Sequence, residues 1–396
     1  MPYFIASSIL FFLGLITIYW IHSQYHLDIV VTPAPPPAAG AALISICIPA
    51  RNEENNIRRC VEAALDQDYP NIEVIVLDDR STDATAEILR HTRRLRLAAQ
   101  DDTLKIISGS DLPEGWAGKP HALHQASAVA QAAQDAWLCF VDADTFLAPQ
   151  AISSCHAKAL ETEADLFTVM TEQILGSFWE KVVMPLVMTA LSVGFSPRKV
   201  NDPSRRDAIA NGQFIMIKRS IYAAVGGHEK VKSQIVEDKA ISEQVKWNGH
   251  RLIVADGTQV VSTRMYTSLE AMWAGWTKNI YLGLRGRTAM LLLGAFGAML
   301  ALIAALFLPV WPLLGLTWFL KGGGWMALAV ILESILVWGY LIYIRAKAAR
   351  GMNISSWYAL TTPLGAGVFA AMMLTSAWRV ISGKGVIWKG RTYHPE

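Results

Sequence analysis

The sequence predicts an α/β domain with a mainly parallel sheet, flanked on both sides by apolar helices long enough to span a membrane. Two observations lead to this prediction. Between about residues 43 and 265, short β-branched segments alternate with polar segments of helical length, the pattern of a parallel sheet covered by helices. Hydrophobic residues make up 53% of the 396 residues and charged residues only 17%, and the apolar excess lies at the two ends of the chain, which is unusual for a soluble protein.

The first element is an apolar run from Tyr3 to Ile21 that contains no charged residue. A run of this length can cross a bilayer. It lacks the basic start and small-residue cleavage site of a signal peptide, so residues 1–24 are predicted to be an uncleaved anchor. Residues 25–42 contain four prolines between positions 33 and 37, which predict a stiff, extended linker.

Residues 43–270 carry the alternating pattern of the α/β domain. Its predicted strands are Ile44–Ile48, Glu73–Leu77, Leu104–Ile107 and Trp137–Val141, and its predicted helices include Asn55–Leu65 and Asp83–Leu97, with Asp83 as the N-cap of the second. Ligands of such sheets bind beyond the carboxyl ends of the strands. Polar residues directly after the strands are therefore the candidate site residues.

Two further segments, Phe178–Phe195 and Met272–Leu284, are amphipathic and rich in Trp, Met and Leu. Aromatic residues mixed with basic ones suit the headgroup layer of a membrane, so both segments are predicted to be interfacial, the second of them within residues 271–288. The alternative is a pair of buried helices that pack on the sheet.

Residues 289–378 contain three apolar segments, at about Ala289–Val310, Trp325–Ile344 and Trp357–Trp378. The basic stretch at 345–350 predicts a cytoplasmic flank, and residues 379–396 form a basic tail. A full span at 357–378 would place that tail outside. Alternatively, Pro363, Gly365 and Gly367 break the last helix into a re-entrant segment. The sequence leaves both open.

Charge and cysteine content limit the partners, metal sites and cellular compartment that the sequence allows. The net charge of +2 gives no reason to expect a nucleic-acid partner. The four cysteines form neither a C-x-x-C pair nor a metal-ligand spacing with histidine. They are predicted to be reduced thiols in a cytoplasmic domain.

The strongest functional signal is an ordered series of acidic sites, each near the end of a predicted strand. Its members are Pro49 with Glu53, the pair Asp78 and Asp79, the pair Asp142 and Asp144, and the pair Glu237 and Asp238. Two carboxylates at i and i+2 after a strand can offer oxygens to Mg²⁺ or Mn²⁺ and leave positions for phosphates. The alternative for Asp78 and Asp79 is an Asx-turn.

The order and spacing of these motifs resemble family 2 inverting glycosyltransferases with the GT-A fold, over about Ser45 to Asn279. The resemblance implies that Pro49, Glu53, Asp78 and Asp79 bind the nucleoside part of a nucleotide-sugar donor. It implies that Asp142 and Asp144 bind the metal and the diphosphate, and that Lys119 lies at the nucleotide. The alternative for Lys119 is a solvated loop lysine.

The same resemblance implies roles on the acceptor side of the site. Asp238 corresponds to the catalytic base that deprotonates the acceptor hydroxyl, and Glu237 is its neighbour. His228 is a candidate donor to the acceptor or the diphosphate, with a purely structural histidine as the alternative. Trp273 and Trp276 are placed on the acceptor or membrane side.

One motif of this chain differs from the family pattern, and the difference bears on whether the product is a polymer. Where processive synthases and ceramide glucosyltransferases carry Q/R-x-x-R-W, this chain has Met272 and Gly275 before Trp276, which argues against processive polymer synthesis. The chain looks closest to bacterial hopanoid-associated and carotenoid-type glycosyltransferases. The implied activity is transfer of a sugar, with a UDP-linked donor, to a hopanoid- or terpenoid-like membrane lipid with inversion, by a domain on the cytoplasmic side of the bacterial inner membrane.

Alternatives to this activity remain open. A ceramide-like or polyprenyl-phosphate lipid is an alternative acceptor, and a processive polysaccharide synthase is an alternative enzyme. A nucleotidyltransferase would normally have a glycine-rich loop after its first strand, where this chain has Ala50, Arg51 and Asn52. A non-enzymatic membrane scaffold would have no use for carboxylates at successive strand ends.

Overall fold

The computed structural model describes residues 1–24, 27–134, 136–283, 288–382, 386–388 and 391–393. The chain forms two compact units: a catalytic unit of residues 26–174 and 197–265, and an apolar unit of residues 1–25, 175–196 and 266–396. The strands are β1 (Ile44–Ala50), β2 (Ile72–Asp78), β3 (Leu104–Ser108), β4 (Trp137–Val141), β5 (Thr145–Leu147), β6 (Leu166–Met170), β7 (Glu172–Gln173), β8 (Phe214–Lys218), β9 (Leu252–Asp256), β10 (Val261–Thr263), β11 (Val386–Trp388) and β12 (Arg391–Tyr393).

The helices alternate with these strands and then dominate the C-terminal third of the chain. They are α1 (Pro2–Ser23), α2 (Ile57–Leu65), α3 (Thr85–Ala98), α4 (Gly118–Ala128), α5 (Ala151–Glu161), α6 (Phe178–Gly194), α7 (Pro197–Asn201), α8 (Arg219–Ala224), α9 (Gly227–Lys230), α10 (Glu237–Trp247), α11 (Leu269–Gly283), α12 (Thr288–Phe307), α13 (Trp311–Leu320), α14 (Gly324–Gly351) and α15 (Thr362–Ile381).

The catalytic unit is built on a seven-stranded sheet with the order β3-β2-β1-β4-β8-β6-β9. Its pairs are parallel except those of β8, which runs antiparallel to β4 and β6. Nearly every side chain of β1, β2 and β4 is buried, because helices cover both faces of the sheet. The predicted α/β class with a mainly parallel sheet is confirmed, and the four predicted strands lie where the sequence placed them.

Two local features of this unit add to the sequence predictions. The segment 25–42, predicted to be a stiff, extended linker, contacts the sheet at Val31. Val31 is fully buried, and its N–H donates a 2.8 Å hydrogen bond to the carbonyl of Asp256, because an extended β-branched residue can fill a gap at the sheet edge. Helix α3 begins two residues after Asp83, although an Asp83 carboxylate oxygen still accepts a hydrogen bond from Thr85 N at 3.0 Å.

The apolar unit contains helices of membrane-spanning length. By length and composition, four stretches of the described residues are long and apolar enough to cross a membrane: Pro2–Ser23, Phe178–Asn201, Gly324–Gly351 and Ser356–Arg379. The second of these was predicted to lie at the headgroup layer, so its composition admits a span as well. Helix α13 was not predicted. The end of Met272–Leu284 and the tail lysines Lys384 and Lys389 lie outside the described residues.

Of the two alternatives for the last apolar segment, the structure has the unbroken helix. A 3₁₀ turn (Ser356–Thr361) leads into α15, which continues without interruption past Pro363, Gly365 and Gly367. Pro363 is tolerated because it lies in the first helical turn, where its missing N–H has no partner to lose. A Cβ at Gly365 would lie 2.5 Å from the carbonyl oxygen of Val182 in α6. This glycine therefore permits close helix packing and does not break the helix.

A polar contact inside the apolar unit joins α1 to α14. Ser7 Oγ donates to Glu333 Oε2 at 2.6 Å, and Ser8 Oγ donates to Glu333 Oε1 at 2.7 Å. A carboxylate in a helix of membrane-spanning length is costly unless its oxygens are satisfied. The two serines of α1 satisfy both oxygens and so connect the first helix of the chain to a late one.

Candidate active site

The candidate site begins where β4 ends, at Asp142 and Asp144. Thr145 N donates to the carbonyl of Asp142 at 3.0 Å, which closes a tight turn between β4 and β5. Thr263 Oγ1 donates to the carbonyl of Asp144 at 3.2 Å, and Cys60 Sγ lies 3.5 Å from the carbonyl of Asp142. Both aspartates are thus held in place through their backbone carbonyl groups.

Three carboxylates converge on this turn from two neighbouring strands. Burial, and then the charges of Asp144, Asp142 and Glu53, raise the pKa of the Cys60 thiol. Glu53 follows β1 and the two aspartates follow β4, and these neighbouring strands run parallel, so the three residues lie at the same carboxyl edge of the sheet.

Lys119, in the first turn of α4, is the cation of the site. Its Nζ lies 2.6 Å from Asp142 Oδ1 and 2.7 Å from Glu237 Oε1. Burial lowers the pKa of Lys119, but the charges of Asp142, Glu237 and Asp238 outweigh this effect and hold the pKa well above its ordinary value. The ammonium group therefore stays charged and links the acidic turn after β4 to the start of α10.

The adjacent acids at the start of α10 have different partners. Glu237 is 4% exposed and pairs with Lys119. Asp238 is partly exposed. Its Oδ2 accepts a hydrogen bond from Gly212 N at 3.0 Å and its Oδ1 accepts one from Lys239 N at 2.7 Å. Burial raises the pKa of both carboxyl groups against the opposing charge of Lys119, a shift that suits a proton acceptor.

The residues predicted to bind the nucleoside lie at the ends of β1 and β2. Pro49 is in register with Leu77 of β2. The backbone N–H of Glu53 donates to Thr85 Oγ1 at 2.8 Å, and a carboxylate oxygen of Glu53 accepts from Asn56 Nδ2 at 3.0 Å. Pro49 and Glu53 are therefore on the same edge of the sheet as the acidic turn.

Asp78 and Asp79 differ in environment. An oxygen of Asp78 accepts a hydrogen bond from Ser81 N at 3.0 Å, a local turn contact that reaches one residue further than the Asx-turn given as the alternative for this position. Asp79 is 6% exposed, its carbonyl accepts a 2.7 Å hydrogen bond from Arg51 Nη1, and its carboxylate lies 3.8 Å from the same group. Asp79 is thus the more rigidly held of the two.

The acidic turn fits a hard divalent cation that keeps most of its ligands from solvent or substrate. Among the residues that the structure describes, no three His, Cys, Asp or Glu side chains are arranged to hold a metal by themselves. Mg²⁺ and Mn²⁺ commonly take one or two protein carboxylates and complete their shell with waters and substrate phosphates. Asp142 and Asp144 carry oxygens of the kind that such an ion binds, and their role as its ligands stays a prediction.

Residues 45–226 match the family model described as glycosyl transferase family 2. The chain carries a family 2 glycosyl transferase domain. This match covers the strand ends that carry Glu53, Asp79 and the acidic turn, and helix α4, which carries Lys119. The predicted GT-A class agrees with the match and with the order of the sheet.

Relatives of this glycosyltransferase extend the comparison beyond that domain. The chain is 28% identical over 354 residues to the 4,4'-diaponeurosporenoate glycosyltransferase of Staphylococcus aureus, with 88% of each protein covered. Among solved structures, it is similar to a mannosyltransferase of Pyrobaculum calidifontis in complex with GDP-Man and Mn²⁺ (16% identity, 95% of this chain and 97% of that one, TM-score 0.47). It is also similar to glucosyl-3-phosphoglycerate synthase of Mycobacterium tuberculosis with Mn²⁺ and UDP (18% identity, 65% and 86% covered, TM-score 0.42).

His228 lies in the interior of the glycosyltransferase domain. It is 2% exposed, and its Nδ1 is 2.9 Å from the hydroxyl of Tyr222. Burial, together with the charges of Lys119 and His124, lowers the pKa of His228 to about 3. A neutral, buried imidazole of this kind is typical of a structural histidine. Its role as a donor to substrate stays a prediction.

Trp273 and Trp276, predicted on the acceptor or membrane side, belong to α11 in the apolar unit. Trp276 is 6% exposed, and its Nε1 lies 3.4 Å from Met184 Sδ. A Cβ at Gly275 would lie 2.3 Å from the hydroxyl oxygen of Tyr266. The glycine that replaces the family's basic residue therefore makes room for Tyr266. Trp276 has the contacts of a packing residue, whereas Trp273 is partly exposed.

The sequence analysis missed a polar network next to Asp238. The side chains of Asn211, Gln213, Thr171 and Gln173 are joined by hydrogen bonds after β6 and before β8. The sequence signal was present, since polar residues follow the apolar strand β6 and precede the apolar strand β8, but the contact between the two segments depends on the antiparallel pairing of those strands.

Proposed function

We propose that this glycosyltransferase moves a sugar from a nucleotide-sugar donor, UDP-linked, to a membrane lipid, with inversion at the anomeric carbon. The observation that carries the proposal is the group formed by Lys119 with Asp142 and Glu237, beside Asp238. In it, a site for a metal and a diphosphate lies next to a carboxylate suited to accept a proton. These are the two requirements of metal-assisted inverting sugar transfer.

On the donor side, Asp142 and Asp144 are proposed to hold Mg²⁺ or Mn²⁺, and that ion supplies charge neutralisation for the departing diphosphate. Lys119 adds a fixed positive charge at the same edge. Glu53 and Asp79, at the ends of the neighbouring strands, are proposed to bind the nucleoside, together with Pro49 and Asp78. Acidic side chains there accept hydrogen bonds from the base and the ribose hydroxyls.

On the acceptor side, Asp238 is proposed to take the proton of an incoming hydroxyl. Its Oδ2 is oriented by the N–H of Gly212, and Glu237 is committed to Lys119.

The proposal of a lipid acceptor rests on the apolar unit and on the relative from Staphylococcus aureus, whose name gives a diaponeurosporenoate as its substrate. A hopanoid- or terpenoid-like lipid is the proposed class. The catalytic unit is joined in sequence to α1, α6 and α11, which are apolar or amphipathic. A lipid glycosylated at the bilayer surface avoids transfer of its chain into water, which costs about 0.8 kcal/mol per CH₂.

The proposed location is the bacterial inner membrane, with the catalytic unit in the cytoplasm. The four cysteines of the chain are all buried and unpaired, as suits a reducing compartment. The basic residues at 345–350, at the end of α14, are consistent with a cytoplasmic flank.

The test combines lipid profiling with reconstitution. The lipids of a deletion strain are compared with those of its parent and of a strain complemented with Asp238→Asn. We expect one glycolipid to disappear in the deletion strain and to stay absent in the complemented variant. The purified protein should then transfer sugar from a UDP-sugar to the aglycone of that lipid. A deletion strain with unchanged glycolipids, together with a purified protein that binds no UDP, would contradict the proposal.

A further inference from the structure

Gln213 is a buried amide whose orientation is fixed by its neighbours. The residue is 5% exposed. Its Oε1 accepts hydrogen bonds from Thr171 Oγ1 at 2.5 Å and from Asn211 Nδ2 at 3.2 Å, and Gln173 Nε2 lies 3.5 Å away. Two of these donors use the two lone pairs of the oxygen, and the third lies at the limit of hydrogen-bond distance.

The backbone determines which end of this amide is the oxygen. Asn211 Nδ2 donates to the carbonyl of Val169 at 2.9 Å, and Asn211 Oδ1 accepts from the N–H of Gln213 at 3.3 Å. A carbonyl can only accept and a backbone N–H can only donate, so Asn211 cannot be turned around. It presents an N–H to Gln213, and the NH₂ group of Gln213 must therefore point the other way.

That NH₂ group has no hydrogen-bond acceptor among the residues that the structure describes. The nitrogen is not sealed inside the protein, so water or a ligand can reach it. An unpaired donor that is held rigidly by three neighbours is the arrangement expected of a group that awaits a ligand oxygen.

The position of Gln213 identifies the ligand. Phe214 of β8 pairs with Val141 of β4 in antiparallel register. Gln213 directly precedes β8 and Asp142 directly follows β4, so these two residues lie opposite each other. On the other side of Gln213 in sequence is Gly212, whose N–H holds Asp238. Gln213 therefore lies between the proposed metal and diphosphate residues and the proposed base. In an inverting displacement the transferred sugar occupies that interval.

We propose that the Gln213 carboxamide donates a hydrogen bond to a hydroxyl oxygen of the transferred sugar and thereby contributes to donor selectivity; this rests on the function proposed above. A neutral NH₂ group suits a neutral hydroxyl oxygen, whereas the diphosphate oxygens are matched by the cations of the site. A sugar that lacks the hydroxyl would lose this hydrogen bond and should bind less tightly.

The test uses Gln213→Glu in the full-length, detergent-purified protein. Glutamate keeps a carboxylate oxygen for Thr171, Asn211 and Gln173 but replaces the NH₂ donor by a second oxygen. Binding of UDP and of UDP-glucose is measured by titration calorimetry in the presence of Mn²⁺. UDP is the internal control for the added negative charge, because both ligands carry the diphosphate. We expect UDP affinity within about twofold of the parent and UDP-glucose affinity reduced by about tenfold, the value of one lost hydrogen bond.

Further variants separate the outcomes. Thr171→Val removes one neighbour of Gln213 but leaves the NH₂ donor, and should reduce UDP-glucose affinity less than Gln213→Glu does. If Gln213→Glu does not fold, Gln213→Asn, which retracts the amide by one methylene, is expected to show the same selective loss. Equal weakening of UDP and UDP-glucose, or a loss confined to lipid transfer with unchanged UDP-glucose binding, would overturn the assignment. A parent protein that binds no UDP would instead contradict the proposed donor itself.

Discussion

The backbone N–H of Gly212 donates a 3.0 Å hydrogen bond to Oδ2 of Asp238. A Cβ at position 212 would lie 3.0 Å from that oxygen and 3.1 Å from Lys119 Nζ, so only glycine lets the two charged groups approach the chain without displacement. Glu237, the neighbour of Asp238, is instead held by Lys119 at 2.7 Å. This division of partners makes Asp238 the better candidate for the base.

Asp238→Asn should therefore abolish transfer while UDP binding stays nearly intact. Asparagine cannot accept the proton, and a general base contributes about 10²–10⁴ to the rate, so kcat should fall by at least about a hundredfold. Transfer in single-turnover experiments and UDP titration are measured on the same preparation. Glu237→Gln is the matched control. A collapse of UDP affinity in Asp238→Asn would place this residue in the donor site.

Activity should require Mg²⁺ or Mn²⁺, and Asp144→Asn should weaken binding of that ion. Loss of one carboxylate ligand removes charge that offsets the cation and its bound diphosphate, and several kcal/mol of transition-state stabilisation depend on it. Mn²⁺ binding followed by electron paramagnetic resonance gives a readout independent of turnover. Asp111→Asn, at a carboxylate that is 97% exposed, is the control. Full turnover in excess EDTA would refute this prediction.

The free energy of unfolding should fall in mild acid because the buried His228 stays neutral in the folded protein. Its pKa in the folded protein is about 3, against 6.5 for an ordinary histidine. Between these pH values the unfolded chain binds a proton at His228 and the folded chain does not. Stability is therefore lost as pH falls below 6.5, by about 2 kcal/mol between pH 6.5 and pH 5.

His228→Gln tests this pH dependence. Glutamine does not titrate, so the variant should lose less stability than the parent over the same interval in urea unfolding experiments. His91→Gln, at an exposed histidine of α3, serves as the control and should leave the slope unchanged. An unaltered slope in His228→Gln would mean that His228 is not buried as a neutral group.

Glutamate at Trp273 or Ile280 of α11 should impair transfer to lipid far more than donor hydrolysis or UDP binding. Both side chains are partly exposed, and a charge placed at the headgroup layer disturbs membrane contact without touching the donor residues. Trp247→Glu, at a tryptophan that is 51% exposed in the catalytic unit, controls for the substitution. Equal loss of lipid transfer and hydrolysis would show that the two residues are core and that the interfacial prediction is wrong.

The contact of Glu333 with Ser7 and Ser8 should stabilise the docking of α1 on α14. A double-mutant cycle of Glu333→Leu with the paired change Ser7→Ala and Ser8→Ala isolates their coupling. We expect about 0.6–1.7 kcal/mol, the range found for hydrogen bonds between membrane helices. Ser334→Ala is the control, since Ser334 Oγ donates only within its own helix, to Ile331 O at 2.8 Å. A coupling energy of zero would mean that the contact does not hold α1.

The sequence alone was sufficient for the fold class, the four leading strands and the acidic residues at their ends. Hydrophobic periodicity is a local property, and the carboxyl ends of parallel strands share one edge of a sheet whatever else the chain does. For this reason the sequence predicts Asp142 and Glu53 at one edge of the sheet. The sequence also predicts the apolar helices at both ends of the chain, because length and composition define a candidate membrane span.

Only the tertiary structure decided which partner each of these residues has. Lys119 is 118 residues from Glu237 in sequence, yet their charged groups are 2.7 Å apart, and no local pattern encodes such a contact. From the sequence, Gly365 was a candidate helix break, but it makes room for Val182. Gly275 was a departure from the family motif, but it makes room for Tyr266. Gln213 stood out in no motif, because its fixed amide depends on the antiparallel pairing of β8 with β6. Long-range packing of this kind is set by the whole fold, and a single sequence reports it only indirectly.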